Sequence, residues 1–249
     1  MKIGCGVTTY NRPKHLELFK LQLERHWAFK DNGIEMYAVP FIADDGEWYR
    51  RGIAVRKNEC LRALKDCDYV FLFDDDCFPI KEGWAEFFIE ASKASGQQHF
   101  MYLKETPTIK RLGTHIGQIE ENHVVDSMKV KITCPVIEII EYNNCSGCMM
   151  LFTKEVIEKV GAYNPAYGYY GFEHAGYSNR VHKAGLTPLG VYTCPVRAGE
   201  YIYSMDLDNH LPFNKQLNHK SSIGIREGLE SIQKNKEIYL QDTEIYIPL

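Results

Sequence analysis

The sequence predicts an α/β fold on a Rossmann-like, mostly parallel central sheet, and three observations predict it. Apolar runs of strand length alternate with stretches of helical periodicity through the first third of the chain. The run YVFLF at 69–73 is apolar without alternation, the pattern of a strand covered on both faces. The first three strand candidates end in polar clusters, at the edge where open α/β sheets bind their ligands.

Residues 2–8 (KIGCGVT) read as the first strand, followed by the turn Tyr10-Asn11-Arg12-Pro13. Pro13 opens a helix in which Leu16, Phe19, Leu23 and Trp27 recur at helical spacing. EMYAVPFI is the second strand and stops at the turn signal Asp44-Asp45-Gly46. IAVRKNECLRALKDC is the second helix, with Ile53, Cys60, Leu61 and Leu64 apolar. The run at 69–73 completes a β-α-β-α-β unit, which implies parallel strands with right-handed crossovers. Beyond it the sequence predicts a helix near 82–94, a β-rich middle from 99 to about 140, a strand at 148–152 and a helix at 154–160. A Gly/Tyr-rich loop, a helix starting near Phe172 and a final helix near 225–233 complete the chain. No repeat, linker or charge block divides it, so the expectation is one domain over 1–205 with a C-terminal extension over 206–249 packing on it as a lid.

With 29 Lys+Arg against 33 Asp+Glu, the 249 residues carry a net charge of -4, and no basic field favours nucleic acid. No apolar run approaches the roughly 20 residues needed to cross a bilayer, so no transmembrane segment is expected. The N-terminus is too short and polar for a signal peptide. Most of the 8 cysteines sit in apolar runs and read as reduced core thiols, and the cytoplasm is the expected compartment.

The strongest chemical signal is Asp74-Asp75-Asp76 at the end of a buried strand. Three adjacent carboxylates repel one another and lose solvation unless a cation meets them. Mg2+ or Mn2+ suits such hard oxygens and accepts substrate phosphates as well. Asp44-Asp45 ends a strand at the same edge, where a carboxylate can accept hydrogen bonds from a nucleobase or ribose. Glu173-His174 opens a helix after a Gly/Tyr-rich segment, and either group is a candidate general base. Arg180 lies seven residues after Glu173, on the same helical face. Cys145-x-x-Cys148 has redox or zinc spacing, but no second pair accompanies it.

The order of these pieces resembles that of a family-2-type glycosyltransferase with the GT-A fold. The matching residues are Val7-Thr8-Thr9-Tyr10-Asn11-Arg12-Pro13, Ile42-Ala43-Asp44-Asp45-Gly46 and Arg56-Lys57-Asn58. Asp74-Asp75-Asp76 behind its strand, Gly147, Lys154-Glu155-Val156, Val160-Gly161-Ala162-Tyr163 and Tyr170-Gly171-Phe172-Glu173 with Arg180 and Gly185 follow in order. The match covers roughly residues 3–191. No piece is specific alone; the order and spacing of all of them carry the resemblance.

The resemblance implies a GT-A, mixed but mostly parallel central sheet flanked by helices. It implies transfer of a sugar from a nucleotide-diphosphate donor (a UDP- or GDP-sugar) to a hydroxyl of a glycan or other acceptor, with Mn2+ or Mg2+. Thr8, Tyr10, Arg12 and Asp44 would surround the base and ribose. Arg56 or its neighbour Lys57 would face the nucleotide, supported by Asn58. Asp74 and Asp75 would lie against the nucleotide, and Asp74 and Asp76 would form the D-x-D metal pair, with Asp76 the direct ligand. His210, or else His219, would complete the metal site, and Lys215 and Lys220 would close over the pyrophosphate. Inverting members commonly have Glu-Asp where this chain has Glu173-His174. The base of an inverting reaction is then His174 or Glu173, and catalysis without a carboxylate at that position would fit retention. Tyr167, Tyr169, Tyr170 and Phe172 would form the acceptor wall. The rivals are a sugar-nucleotide nucleotidyltransferase, disfavoured by the lack of glycines in the first loop, and an inactive glycan- or nucleotide-binding protein of the same fold.

Overall fold

A computed structural model describes residues 1–27, 37–44, 51–103, 128–133, 137–206, 217 and 223–249. β1 (Lys2–Thr9), α1 (Pro13–His26), β2 (Tyr37–Asp44), α2 (Ile53–Leu64) and β3 (Tyr69–Asp74) form the predicted β-α-β-α-β unit. β4 (Cys77–Pro79), α3 (Trp84–Ser95), β5 (His99–Met101), β6 (Met128–Thr133), β7 (Glu138–Tyr142) and β8 (Met149–Thr153) follow. The chain continues with α4 (Lys154–Val160), α5 (Glu173–Lys183), β9 (Thr193–Pro195), β10 (Ile202–Ser204) and α6 (Ile225–Gln241).

The central sheet has the order β2-β1-β3-β8-β5. β1 runs parallel to β2 and β3, whereas β8 is antiparallel to both β3 and β5. The register aligns Thr8 with Asp74 and Thr9 with Asp44, so three strands deliver polar carboxyl ends to one edge. Two small sheets, β10-β4 and β6-β7-β9, flank it. Three-residue strands such as β4, β9 and β10 are too short to show a period, which is why the β-rich middle was legible and its division into separate sheets was not.

Val70, Phe71, Leu72 and Phe73 are fully buried, as their unbroken apolarity requires. Phe73 meets Phe19 of α1 and Trp84 of α3, each at 5.5 Å between ring centroids. On β1, Gly6 lets α2 settle onto the sheet, since a β-carbon there would stand 2.8 Å from the Cys60 Cβ and 2.7 Å from Leu72. Thr153 caps α4 by accepting from the Val156 N–H at 3.4 Å. The last helix runs to Gln241, eight residues past the predicted end near 233. No helix among the described residues is long and apolar enough to cross a membrane. The seven described cysteines form no disulfide, and all but Cys145 are buried.

Two motif residues hold the fold together. Asn58, expected beside the nucleotide, is buried in α2 and is not among the residues lining the cavity described below. Its Nδ2 donates to the Tyr163 carbonyl at 2.9 Å, and its Oδ1 accepts from the Tyr163 N–H at 2.6 Å. Arg180 donates to the carbonyls of Ala162 at 2.6 Å, Val160 at 3.3 Å and Ile245 at 3.4 Å, tying α5 to the end of α4 and to the chain terminus. Asn58→Ala leaves both buried Tyr163 backbone groups without partners, at about 1–3 kcal/mol each. Urea denaturation should show a loss of about 2–5 kcal/mol, and a loss under 1 kcal/mol would contradict the clamp.

Candidate active site

A cavity of about 390 Å³ opens beyond the carboxyl ends of β1 and β3, where the fold places ligands. Asp74, Asp75 and Asp76 line it together, because β3 ends at Asp74 and the next two residues turn beneath the β1–α1 loop. Each carboxylate is met by protein groups. Asp74 Oδ1 accepts from Thr8 Oγ1 at 3.0 Å and pairs with Lys57 Nζ at 3.1 Å. Lys57 is wholly buried, and its Nζ also donates to the Gly147 carbonyl at 2.8 Å. Asp75 accepts from Thr9 Oγ1 at 2.6 Å and from Arg12 Nε at 3.3 Å, and Arg12 Nη2 lies against its Oδ1. The same Nη2 donates to Asp76 Oδ2 at 2.8 Å.

Burial pushes the Asp75 carboxyl up, with Asp76 adding to the rise and Arg12 opposing it. Burial would lower the Arg12 pKa, but Asp76 and Asp75 outweigh it and hold the guanidinium firmly charged. Arg12, expected around the base and ribose, lies at this cavity and is paired with the carboxylates of Asp75 and Asp76.

Glu173 and His174 begin α5 at the same cavity. Glu173 is buried, and its Oε1 pairs with His174 Nε2 at 2.9 Å, while its Oε2 has no partner. Burial alone would raise this carboxyl, but the His174 ring and Lys57 pull it down to about 2. His174 Nδ1 is buried and unpartnered, and the ring packs against Gly147, where a β-carbon would come within 1.7 Å of His174 Cδ2. Buried polar atoms rarely stay unpaired, and Oε2 and Nδ1 are two such unsatisfied atoms at this cavity. Asn144 Oδ1, at the same cavity, is likewise buried and unpartnered.

Thr8, Tyr10 and Arg56 line the cavity, and Arg56 also pairs with Glu59 at 2.7 Å. The Asp44 backbone stands at this edge. His210, His219, Lys215 and Lys220 lie outside the described residues. Of the four proposed wall aromatics, Tyr169, Tyr170 and Phe172 line the cavity. Tyr167 instead packs beneath Gly176 and donates to Asp242 at 3.3 Å. Cys145 and Cys148 also line the cavity, and burial pushes the Cys145 thiol up to about 12. Sequence reasoning missed Thr9, Asn144 and the α6 residues Ile232 and Tyr239 as cavity residues. Thr9 sat inside a quoted motif next to Thr8, whereas nothing in the local sequence links 232 or 239 to this edge.

A hard divalent ion fits this donor set in part. Asp74 and Asp76 offer carboxylate oxygens at one cavity, and an ion that takes further oxygens from a diphosphate and water needs only one or two such ligands. No group of three His, Cys, Asp or Glu poised to hold a metal occurs among the described residues, and His210 and His219 lie outside them.

Two tests follow from this geometry. Gly147→Ala should expel the His174 ring, seen as a displaced His174 imidazole resonance in a variant with a native far-UV spectrum; an unmoved resonance would contradict the contact. Because the folded Glu173 pKa lies below its usual 4.5, the stability it contributes is present above pH 4.5 and is lost as pH falls toward 2. The urea midpoint of the wild type should drop more steeply over that window than that of Glu173→Gln, and parallel curves would show that Glu173 is not held ionised.

No family model matches the chain. It is 27% identical over 278 residues to "Uncharacterized glycosyltransferase R363" of Acanthamoeba polyphaga mimivirus, covering 99% of this chain and 95% of the relative. Among solved structures it resembles Staphylococcus aureus TarS 1-349 in complex with UDP, with a TM-score of 0.51 and 11% identity over 98% of this chain and 73% of that one. Against the mannosyltransferase PcManGT of Pyrobaculum calidifontis the TM-score is 0.48 at 12% identity, over 76% of this chain and 54% of that one, a likeness too distant to carry the fold by itself. The resemblance read from the motifs thus holds at two levels: the chain is related along its whole length to a protein named a glycosyltransferase, and it has the GT-A fold.

Proposed function

We propose that this chain transfers a sugar from a nucleotide-diphosphate donor, UDP- or GDP-linked, to a hydroxyl of a glycan or another acceptor, with inversion. One observation carries the reading: the aspartate triplet and the Glu173–His174 pair open on the same cavity. The first is suited to hold a charged leaving group through a cation, the second to accept a proton.

The acceptor oxygen attacks the anomeric carbon as the bond from that carbon to the diphosphate oxygen breaks. His174 is the base. Its Nε2 is engaged by the Glu173 carboxylate, which fixes the tautomer and leaves the lone pair on Nδ1; that atom, buried in this structure, receives the acceptor proton once the ring turns toward the cavity. Glu173, kept ionised by the His174 ring and Lys57, orients that ring and balances the charge it gains. Asp76, with Asp74, would hold Mn2+ or Mg2+, which when bound supplies Lewis-acid stabilisation of the departing diphosphate. Tyr10, Arg56 and the Asp44 end of β2 surround the nucleoside in this reading. Tyr169, Tyr170 and Phe172 form the acceptor wall, since aromatic faces suit the apolar faces of sugar rings.

His174→Ala should lower kcat by about 10²–10⁴-fold, the usual worth of a general base, while calorimetry finds the nucleoside-diphosphate Kd within about threefold of wild type. Unchanged turnover would remove His174 from the base role. Asp76→Ala should abolish both transfer and metal-dependent nucleoside-diphosphate binding with the fold intact. Nucleotide binding by the wild type without turnover of any donor would favour an inactive binding protein.

A further inference from the structure

The residues that open α5 sit on a backbone that does not hold itself. Gly168, Gly171 and Phe172 have φ of 62°, 94° and 66°. Glycine accepts the left-handed region freely, but for Phe172 it is strained and persists only where surrounding contacts dictate it. Phe172 is the residue immediately before Glu173, and its carbonyl accepts the Gly176 N–H of the first turn of α5 at 2.8 Å. Whatever fixes this turn also sets where Glu173 and His174 point.

The fixing groups come from α6, outside the stretch that carries the family resemblance. Asn235 is buried, and its Nδ2 donates to the carbonyls of Tyr167 at 2.6 Å, Tyr170 at 2.8 Å and Gly171 at 2.9 Å. Two N–H bonds thus serve three carbonyls of one loop. Ser231, one helical turn earlier, donates to the Tyr170 carbonyl at 2.6 Å. Ile232 presses on Gly171, where a β-carbon would come within 2.8 Å, and the Tyr239 ring packs on Phe172 at 5.0 Å between centroids. Asn179 of α5 donates to the Tyr239 hydroxyl at 2.6 Å, joining α6 to α5 directly.

We infer that Asn235 is a positioning residue for the Glu173–His174 pair, and that α6 is a buttress that forces the 167–172 loop into the conformation presenting that pair to the cavity. The catalytic consequence rests on the function proposed above; the positioning itself does not. Asn235→Asp is the direct test, since it keeps the shape, loses both donors and turns a charged oxygen toward three carbonyls. The His174 imidazole resonances, assigned by their disappearance in His174→Ala, should shift in this variant. Transfer should fall by roughly 10²-fold in kcat, the scale expected for a misplaced catalytic group, with donor KM within about twofold. Lys236→Ala, on the exposed face of the same helix, should leave both readings at wild-type values. Ser231→Ala removes one donor only and should move the same resonances by a smaller amount, which keeps the test open if Asn235→Asp does not fold. His174 resonances identical to wild type in a folded Asn235→Asp or Ser231→Ala protein would overturn the inference. Shifted resonances in a protein whose wild type turns over no donor would uphold the positioning and count against the transferase reading instead.

Discussion

Three consecutive carboxylates at the end of a buried strand must be met by positive charge, and the site is organised around meeting it. Asp74 faces Lys57, and Asp75 and Asp76 face Arg12. The two cations reach the cluster from α2 and from the loop before α1, so the site assembles only when both βα crossovers have formed. Leaving a charge of this kind buried and unpaired costs several kcal/mol.

Lys57 links this acidic floor to the Glu173–His174 pair. Its ammonium bridges Asp74 and the Gly147 carbonyl, Gly147 lies under the His174 ring, and His174 pairs with Glu173. The aspartate triplet and the Glu173–His174 pair therefore share one continuous set of contacts. The absence of a side chain at 147 gives the imidazole its room. α6 then fixes the turn from which the Glu173–His174 pair projects, so the C-terminal segment takes part in shaping the cavity through Ile232 and Tyr239.

The features that were legible in the sequence are those with a local signature. The unbroken apolarity of β3, Pro13 at the start of α1, and the acidic triplet after a strand each report on their own neighbourhood. The alignment of Asp44 and Asp74 on one edge followed from parallel pairing alone. What was not legible depends on which way a side chain turns. Arg56, Lys57 and Asn58 are adjacent, yet only Arg56 lines the cavity; Lys57 turns beneath it, and Asn58 clamps Tyr163. A helix points successive residues about 100° apart, and no motif tells which of three polar neighbours faces the substrate. The pairing of Arg12 with the triplet left no local trace, because Asp75 and Asp76 lie 63 and 64 positions away. Asn235 is one polar residue in a polar helix, and its partners, 64 to 68 positions earlier, leave no trace around it.

The proposed grip of the carboxylate edge on the diphosphate of a departing nucleotide can be seen in a crystal soaked with UDP and Mn2+, or with GDP and Mn2+, and measured at the manganese absorption edge. An anomalous peak is expected within coordination distance of Asp76, with diphosphate oxygens on its far side. A nucleotide bound elsewhere, with neither ion nor phosphate in reach of residues 74–76, would contradict it.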